Sequence, residues 1–211
     1  EAAAADHQRT EQASIAVEGD AYPLTVTDYL GRKTQLQTMP QKVAVLSGTP
    51  LNIWYSLGGK SICTSNISGN LKLVSQYRDE ILELPEVGAV YALNMEAVVS
   101  LKPDLIISQH GPQTTQTENL REMGFPVICT QTKTYEDLLE IYRAFGKILH
   151  QEEKAAEIIG SLEEQKNSII GRLPQEEKKI VILYVTSASL AVKLNNSIAG
   201  DIAKMLGLKN I

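Results

Sequence analysis

Between positions 43 and 130 short apolar runs alternate with stretches of helical character, and this alternation constrains the fold more than any other feature of the chain. Residues 43–47, 61–64, 105–108 and 126–130 are each bounded by turn or polar residues, as short buried strands are. The segments between them are long enough to cross over and return. Successive strands would therefore run parallel, in an α/β sheet covered by helices on both faces. Local start and stop signals agree. Thr49 stands as a helix N-cap with Pro50 in the first helical position, and Gly58 and Gly59 close residues 51–57. Asn94 can cap residues 95–102, which Pro103 stops. Residues 115–123 read as a helix ended by Gly124, 66–70 as a loop, and 71–84 as holding a helical turn or two.

Before the alternation, residues 22–38 read as two extended segments, with Leu24, Val26 and Leu36 alternating against polar residues and a turn at 28–31. Residues 1–20 are rich in Ala, Gln, Glu and Ser without periodicity, and the expectation is a disordered tether over 1–21. After the alternation, Thr134 and Asp137 form a capping-box-like start, followed by Tyr135, Leu138, Leu139, Tyr142, Phe145 and Leu149 at helical spacing. From Glu152 a longer run places Ala155, Ile158, Ile159, Leu162, Ile169, Ile170 and Leu173 on one face, about 30 Å of helix if unbroken. Pro174 ends it. A strand over 180–185 and a helix over 199–206 follow, too little to enclose a core, so a second α/β body would be incomplete within this sequence.

Several function classes recede on simple grounds. With 25 acidic against 20 basic side chains the net charge is -5, which argues against a nucleic-acid partner. No apolar run approaches the ~20 residues of a membrane span. The motif after the first strand, residues 47–52, reads SGTPLN rather than a glycine-rich nucleotide loop, and no Gly-x-Ser-x-Gly elbow occurs, so an enzyme is not expected. Cys63 and Cys129 sit inside separate apolar runs, where thiols behave as small buried hydrophobes; a disulfide between two strand interiors would need closer Cβ atoms. His7, His110 and His150 are too scattered to form a multi-histidine metal centre, so no intrinsic cofactor is expected.

Six segments share one family pattern in order: 25–32 (TVTDYLGR), 40–47 (PQKVAVLS), 84–88 (LPEVG), 94–107 (NMEAVVSLKPDLII), 123–127 (MGFPV) and 207–211 (GLKNI). From Tyr22 onward the chain resembles the iron–siderophore, haem and vitamin B12 binding proteins of ABC importers. The resemblance implies two α/β lobes joined by a single long helix: an N-terminal lobe over 22–150, a rigid connector over 151–174 and the start of a C-terminal lobe over 175–211. It implies an extracytoplasmic protein, in the periplasm or lipid-anchored at the outer face of the cell membrane. Such a protein, a monomer if its second lobe is complete, would capture a ferric siderophore, haem or cobalamin and deliver it to a permease. The alternative is a cell-surface interaction module whose cleft is incomplete.

In open parallel sheets ligands sit beyond the carboxyl ends of the strands. That rule selects the loops at 48–50, 65–69, 109–113 and 131–133; the resemblance adds 90–94. The candidate ligand residues are Thr49, Asn66, Tyr91, Gln109, His110 and Lys133, with Asn195 in the second lobe. Thr49 could present helix N–H groups to an anion or act only as a cap. Tyr91 could stack on a macrocycle or ligate ferric iron, or be a half-buried loop tyrosine. His110 could contact a metal or a propionate, or be an exposed loop histidine. Lys133 could pair with an anion or remain solvated. The resemblance also implies an acidic residue in each lobe that engages arginines of the permease. Glu96 carries that match in the first lobe; in the second, the matching helix offers Asp201 and Lys204 and no glutamate.

Overall fold

The computed structural model describes residues 13–66, 73–173, 178–185 and 190–211. A three-stranded antiparallel meander opens the chain: β1 (Ala16–Glu18), β2 (Leu24–Thr27) and β3 (Lys33–Leu36), with β2 in the middle. The ordered chain thus starts earlier than the sequence suggested. Val17 opposes Val26 in the ladder, and Ser14 is fastened to Glu140 by its backbone N–H (2.6 Å) and its hydroxyl (2.7 Å). The tether expected over 1–21 is corrected over 13–21; its first twelve residues lie outside the described residues.

The parallel sheet follows. β4 (Val43–Val45), β8 (Leu105–Gln109) and β9 (Val127–Thr130) pair in the order β4-β8-β9, and β5 (Thr64–Asn66) pairs with β6 (Glu86–Ala89). The Ile62 N–H donates to the Val43 carbonyl at 2.9 Å, joining the two groups of strands. Period-two alternation along the strands divides the core. Val43, Val45, Leu105, Ile107 and Ile128 face one side, while Ala44, Leu46, Ile106 and Val127 face the other. The first side is covered by α1 (Gly48–Ser56) through Leu51, Trp54 and Tyr55, and by α5 (Tyr135–Ile148) through Ile141, Phe145 and Ile148. Trp54 meets Phe145 edge-on, 5.1 Å between ring centroids. The second side is covered by Val98 of α3 (Met95–Ser100) and Leu120 of α4 (Thr114–Glu122), with Cys63 and Val87 between them.

Two local readings change. Thr49 is not the cap of α1. Ser47 is the N-cap, in extended conformation, with Gly48, Thr49 and Pro50 making up the first turn, because the strand geometry persists through Ser47 and its carbonyl already accepts from the Leu51 N–H at 3.0 Å. The segment 90–94, grouped with the loops above, is the turn and second strand of a hairpin, β6 with β7 (Ala92–Leu93), leading to the Asn94 cap. A short helix α2 (Arg78–Leu82) precedes it.

A turn at His150, whose φ is 52°, separates α5 from α6 (Glu152–Ile170), an unbroken helix of 19 residues, about 28 Å long. Its first turns dock closely on α5, where a Cβ built on Gly146 would stand 2.7 Å from the Ala155 Cβ. Farther along, Ile158, Ile159 and Leu162 are half-buried and Ile169 and Ile170 are exposed. The chain then forms β10 (Lys178–Ile180), a hairpin of β11 (Ile182–Val185) with β12 (Leu190–Lys193), α7 (Ile198–Met205) and β13 (Leu208–Asn210). β13 lies parallel to β10, so this segment contains a crossover unit with α7 between its two parallel strands. Several of its apolar side chains, among them Leu183, Val185, Leu190 and Val192, are exposed.

Candidate ligand rim at the strand tips

The carboxyl ends of β4, β8 and β9 are tied together by a buried polar network. Beyond β8, Gln113 accepts from the Gln109 N–H at 3.0 Å and donates from Nε2 to the Leu46 carbonyl at 2.5 Å, reaching the end of β4. The Thr117 hydroxyl lies 2.8 Å from the Ser108 Oγ, and the Thr130 hydroxyl donates to the Ser108 carbonyl at 3.0 Å, reaching β9. Ser108, Gln113 and Thr117 have no exposed surface, so every bond is made away from water. The floor of the rim is therefore fixed before any ligand arrives.

Three side chains stand together on that floor. Tyr29, from the turn between β2 and β3, packs its ring 4.9 Å from that of His110, and the Lys133 Nζ lies 5.7 Å from the Tyr29 centroid. Asp28 puts Tyr29 there. Its carboxylate accepts from the N–H groups of Leu30 and Arg32, both at 3.0 Å, from the Cys129 N–H at 2.7 Å, and from the Arg121 guanidinium. The Tyr29 N–H donates to the Cys129 carbonyl at 3.0 Å. His110 is held by its backbone N–H on the Thr130 carbonyl (2.8 Å) and has Thr114 Oγ1 3.2 Å from Nδ1. Lys133 is held by its N–H on Asp137 (2.7 Å), whose carboxylate and Thr134 together complete the expected capping box of α5.

The remaining candidates distribute as follows. Thr49, Gln109, His110 and Lys133 are half-buried at the tips of β4, β8 and β9. Gln109 accepts from the Ser47 hydroxyl, which positions both. Asn66 ends β5 opposite Ala89, and the turn after Ala89 carries Tyr91, which is 78% exposed. Since the α1 crossover returns the chain to run β5 alongside β4, this turn belongs to the same end of the sheet. Asn195 lies in the exposed turn between β12 and α7, in the second lobe. Glu96 occupies the first turn of α3, exposed, with no side-chain partner among the described residues; Asn94 caps that helix by accepting from the Ala97 N–H at 3.0 Å. Asp201 is engaged elsewhere: its carboxylate accepts from the Tyr135 N–H at 2.8 Å.

Sequence reasoning missed Tyr29. The signal was the Asp28–Gly31 turn, read only as a chain reversal, although its side-chain and backbone bonds to Cys129 dock the turn on β9. An open groove of about 590 Å³ lies away from the rim, beside Arg32, Glu118, Arg121 and the start of β9, with Arg32 and Arg121 both paired to Glu118. Among the described residues no three His, Cys, Asp or Glu side chains converge as a metal site, and no helix is long and apolar enough to cross a membrane. Cys63 and Cys129 are free and buried, and burial pushes both thiols up to about 12.

Chemically, the rim offers a rigid floor and two half-buried nitrogen-bearing side chains, His110 and Lys133, backed by the buried Tyr29 ring, an arrangement suited to holding an anionic solute. Comparison with known proteins gives this geometry its context. Residues 43–211 match the periplasmic binding protein family. The chain belongs to that family. Its relatives include the Fe(3+)-citrate-binding protein YfmC of Bacillus subtilis, 27% identical over 180 residues that make up 83% of this chain and 56% of that protein. The vitamin B12-binding protein of Salmonella typhimurium is 25% identical, over 65% of this chain and 52% of its own length. A crystal structure of an ABC-type Fe3+-hydroxamate transport system from Saccharomonospora viridis has the same fold, with a TM-score of 0.75 at 19% identity, over 90% of this chain and 70% of that one. This periplasmic binding protein chain thus spans about half the length of the curated relatives it matches.

Proposed function

We propose that this chain is the capture part of an ABC importer's solute-binding subunit, acting outside the cytoplasm and taking up a small metal complex: a ferric siderophore or carboxylate, haem or a corrinoid. The observation that carries the reading is the pre-ordered rim of Tyr29, His110 and Lys133 at the strand tips of a periplasmic binding protein lobe. A site whose groups are fixed beforehand loses little side-chain entropy on binding. Lys133 supplies a cation at its edge, which favours a ligand with carboxylate, phosphate or phenolate groups. The complex brings its own metal coordination, and the protein reads its outline and charge. The reading is of binding without turnover.

Absorption spectra of the purified protein, alone and after mixing with haem, cyanocobalamin, ferric citrate and ferric siderophores, test the ligand class. A bound complex shows as a shifted band that stays with the protein through gel filtration. If all of them elute free, the solute assignment is wrong.

Glu96 is the proposed contact to the permease. It is exposed, its carboxylate has no partner among the described residues, and it sits on a helix capped by Asn94 directly after the hairpin. Glu96→Ala is expected to lower uptake severalfold while the affinity for ligand stays within about twofold, as for an exposed charge remote from the rim. A matching loss of affinity would refute this role.

A further inference from the structure

We propose that Asp201 is a positioning residue of the ligand rim: from the second lobe it fixes the first turn of α5, and with it the 131–133 loop that carries Lys133. This rests on the reading above in that Lys133 meets the ligand.

The start of α5 is where the lobes touch through hydrogen bonds. A helix leaves its first N–H groups without partners inside the helix. Here Asp137 Oδ2 takes the N–H of Lys133 and the N–H of Thr134, both at 2.7 Å, and the Thr134 hydroxyl takes the Asp137 N–H at 3.1 Å. The Tyr135 N–H goes instead to Asp201 Oδ2 on α7, at 2.8 Å, across 66 residues of sequence. Three consecutive backbone donors, from Lys133 to Tyr135, thus end on two carboxylates, one from each lobe. The connector joins the same point. Lys166 of α6 holds its Nζ 4.9 Å from the Tyr135 ring centroid and is paired with Glu163. Tyr135 is therefore gripped by α6 through its ring and by α7 through its backbone, two residues after Lys133.

The consequence is a coupling of lobe placement to rim geometry. Were α7 to move off α5, the Tyr135 N–H would lose its acceptor at a half-buried site, and the first turn of α5 would loosen together with the loop before it. Lys133 would then leave its place over Tyr29. The same bond ties Asp201 Oδ2 to the α5 backbone, so this carboxylate is oriented toward the chain itself. Glu96, which has no such partner among the described residues, remains free to dock.

Asp201→Ala and Asp201→Asn in the purified chain test the proposal; the asparagine keeps an acceptor oxygen. Amide hydrogen exchange read by NMR is expected to speed up about tenfold at Lys133 and Tyr135 in Asp201→Ala, the loss of one charge-assisted bond, and to return most of the way in Asp201→Asn. Affinity for whichever of ferric citrate, haem or cyanocobalamin the wild type binds is expected to fall severalfold in Asp201→Ala. That fall should disappear in a Lys133→Gln background, since the effect travels through Lys133. Unchanged exchange at these amides overturns the proposal. So does intact affinity with lowered permease coupling, which would make Asp201 a docking residue. If the wild type binds none of these three probes and no ferric siderophore, the ligand assignment fails, and the exchange result alone decides whether Asp201 orders this loop.

Discussion

Asp28 does more for the rim than any single side chain that faces it. Its side chain is fully buried, and four donors converge on its two oxygens, so it welds the β2–β3 turn to β9 and sets Tyr29 beside His110. Removing one partner of a buried charged pair strands the other, which costs roughly 3–5 kcal/mol. Asp28→Ala is accordingly expected to lower the melting temperature by about 10 °C, as calorimetry would show. The two thiols make a second residue-scale case. Burial raises Cys63 and Cys129 from 9.0 to about 12, so in the folded protein both stay protonated and unreactive at pH 8. The sign with pH follows. Below pH 9 both states hold the protons and stability is unaffected; between 9 and 12 the unfolded chain loses them first, so stability falls as pH rises. A thiol reagent should find almost no reactive cysteine in the native protein at pH 8 and two after denaturation. At this scale the sequence was legible where partners are close. Thr134 and Asp137, three residues apart, announced their own capping box, and an apolar run announced each cysteine. The remote partners of Asp28, Arg121 and Cys129, lie 93 and 101 residues away and the Tyr135 partner of Asp201 lies 66 away, and no local pattern encodes such meetings.

At the scale of elements, the parallel strands were readable because residues buried on both faces leave short apolar runs, and the helices because capping and stop residues mark their ends. The β6–β7 hairpin was not readable, since EVGA and AL are too short to alternate and one side of the hairpin is exposed. Its geometry depends on Gly88. With φ at +93° and a built Cβ only 2.7 Å from the Ala92 carbonyl oxygen and 2.9 Å from the Asn94 nitrogen, the position has room for no side chain. Gly88→Ala must either strain the backbone, at about 1–3 kcal/mol, or push β7 away. Since β7 leads directly into the Asn94 cap, the displacement would carry α3 and Glu96 with it. Gly88→Ala is therefore expected both to lower the melting temperature by a few degrees and to reduce uptake. A variant with full stability and full uptake would show that the hairpin can absorb the methyl group.

For the whole molecule, the proposed solute-binding role depends on how α6 holds the β10–β13 segment against the first lobe. The apolar spacing after Glu152 foretold a helix but not what its far half would touch, because the covering surface comes from elements remote in sequence. α6 docks on α5 near Ala155 and meets it again where Lys166 stands over the Tyr135 ring, while its exposed last residues rely on the helix's own backbone hydrogen bonds. Gly160 is the soft point. It is exposed, in regular helix, and an added Cβ would meet nothing within 4 Å. Gly160→Ala therefore removes unfolded-state freedom without a clash and should stabilise by about 0.5–1 kcal/mol, raising the melting temperature by roughly 2–3 °C with ligand affinity intact. Gly160→Pro has the opposite logic: it deletes an intrahelical bond and forces a kink, at roughly 3 kcal/mol, at the midpoint of the strut. The first lobe keeps its own two-sided core and should stay folded, with Trp54 buried and its fluorescence unchanged. The second lobe would swing away from α5, parting Asp201 from the Tyr135 N–H, so ligand affinity should fall while the first lobe remains native. Retained affinity in the proline variant would mean that the two lobes do not need a straight strut to hold the solute between them.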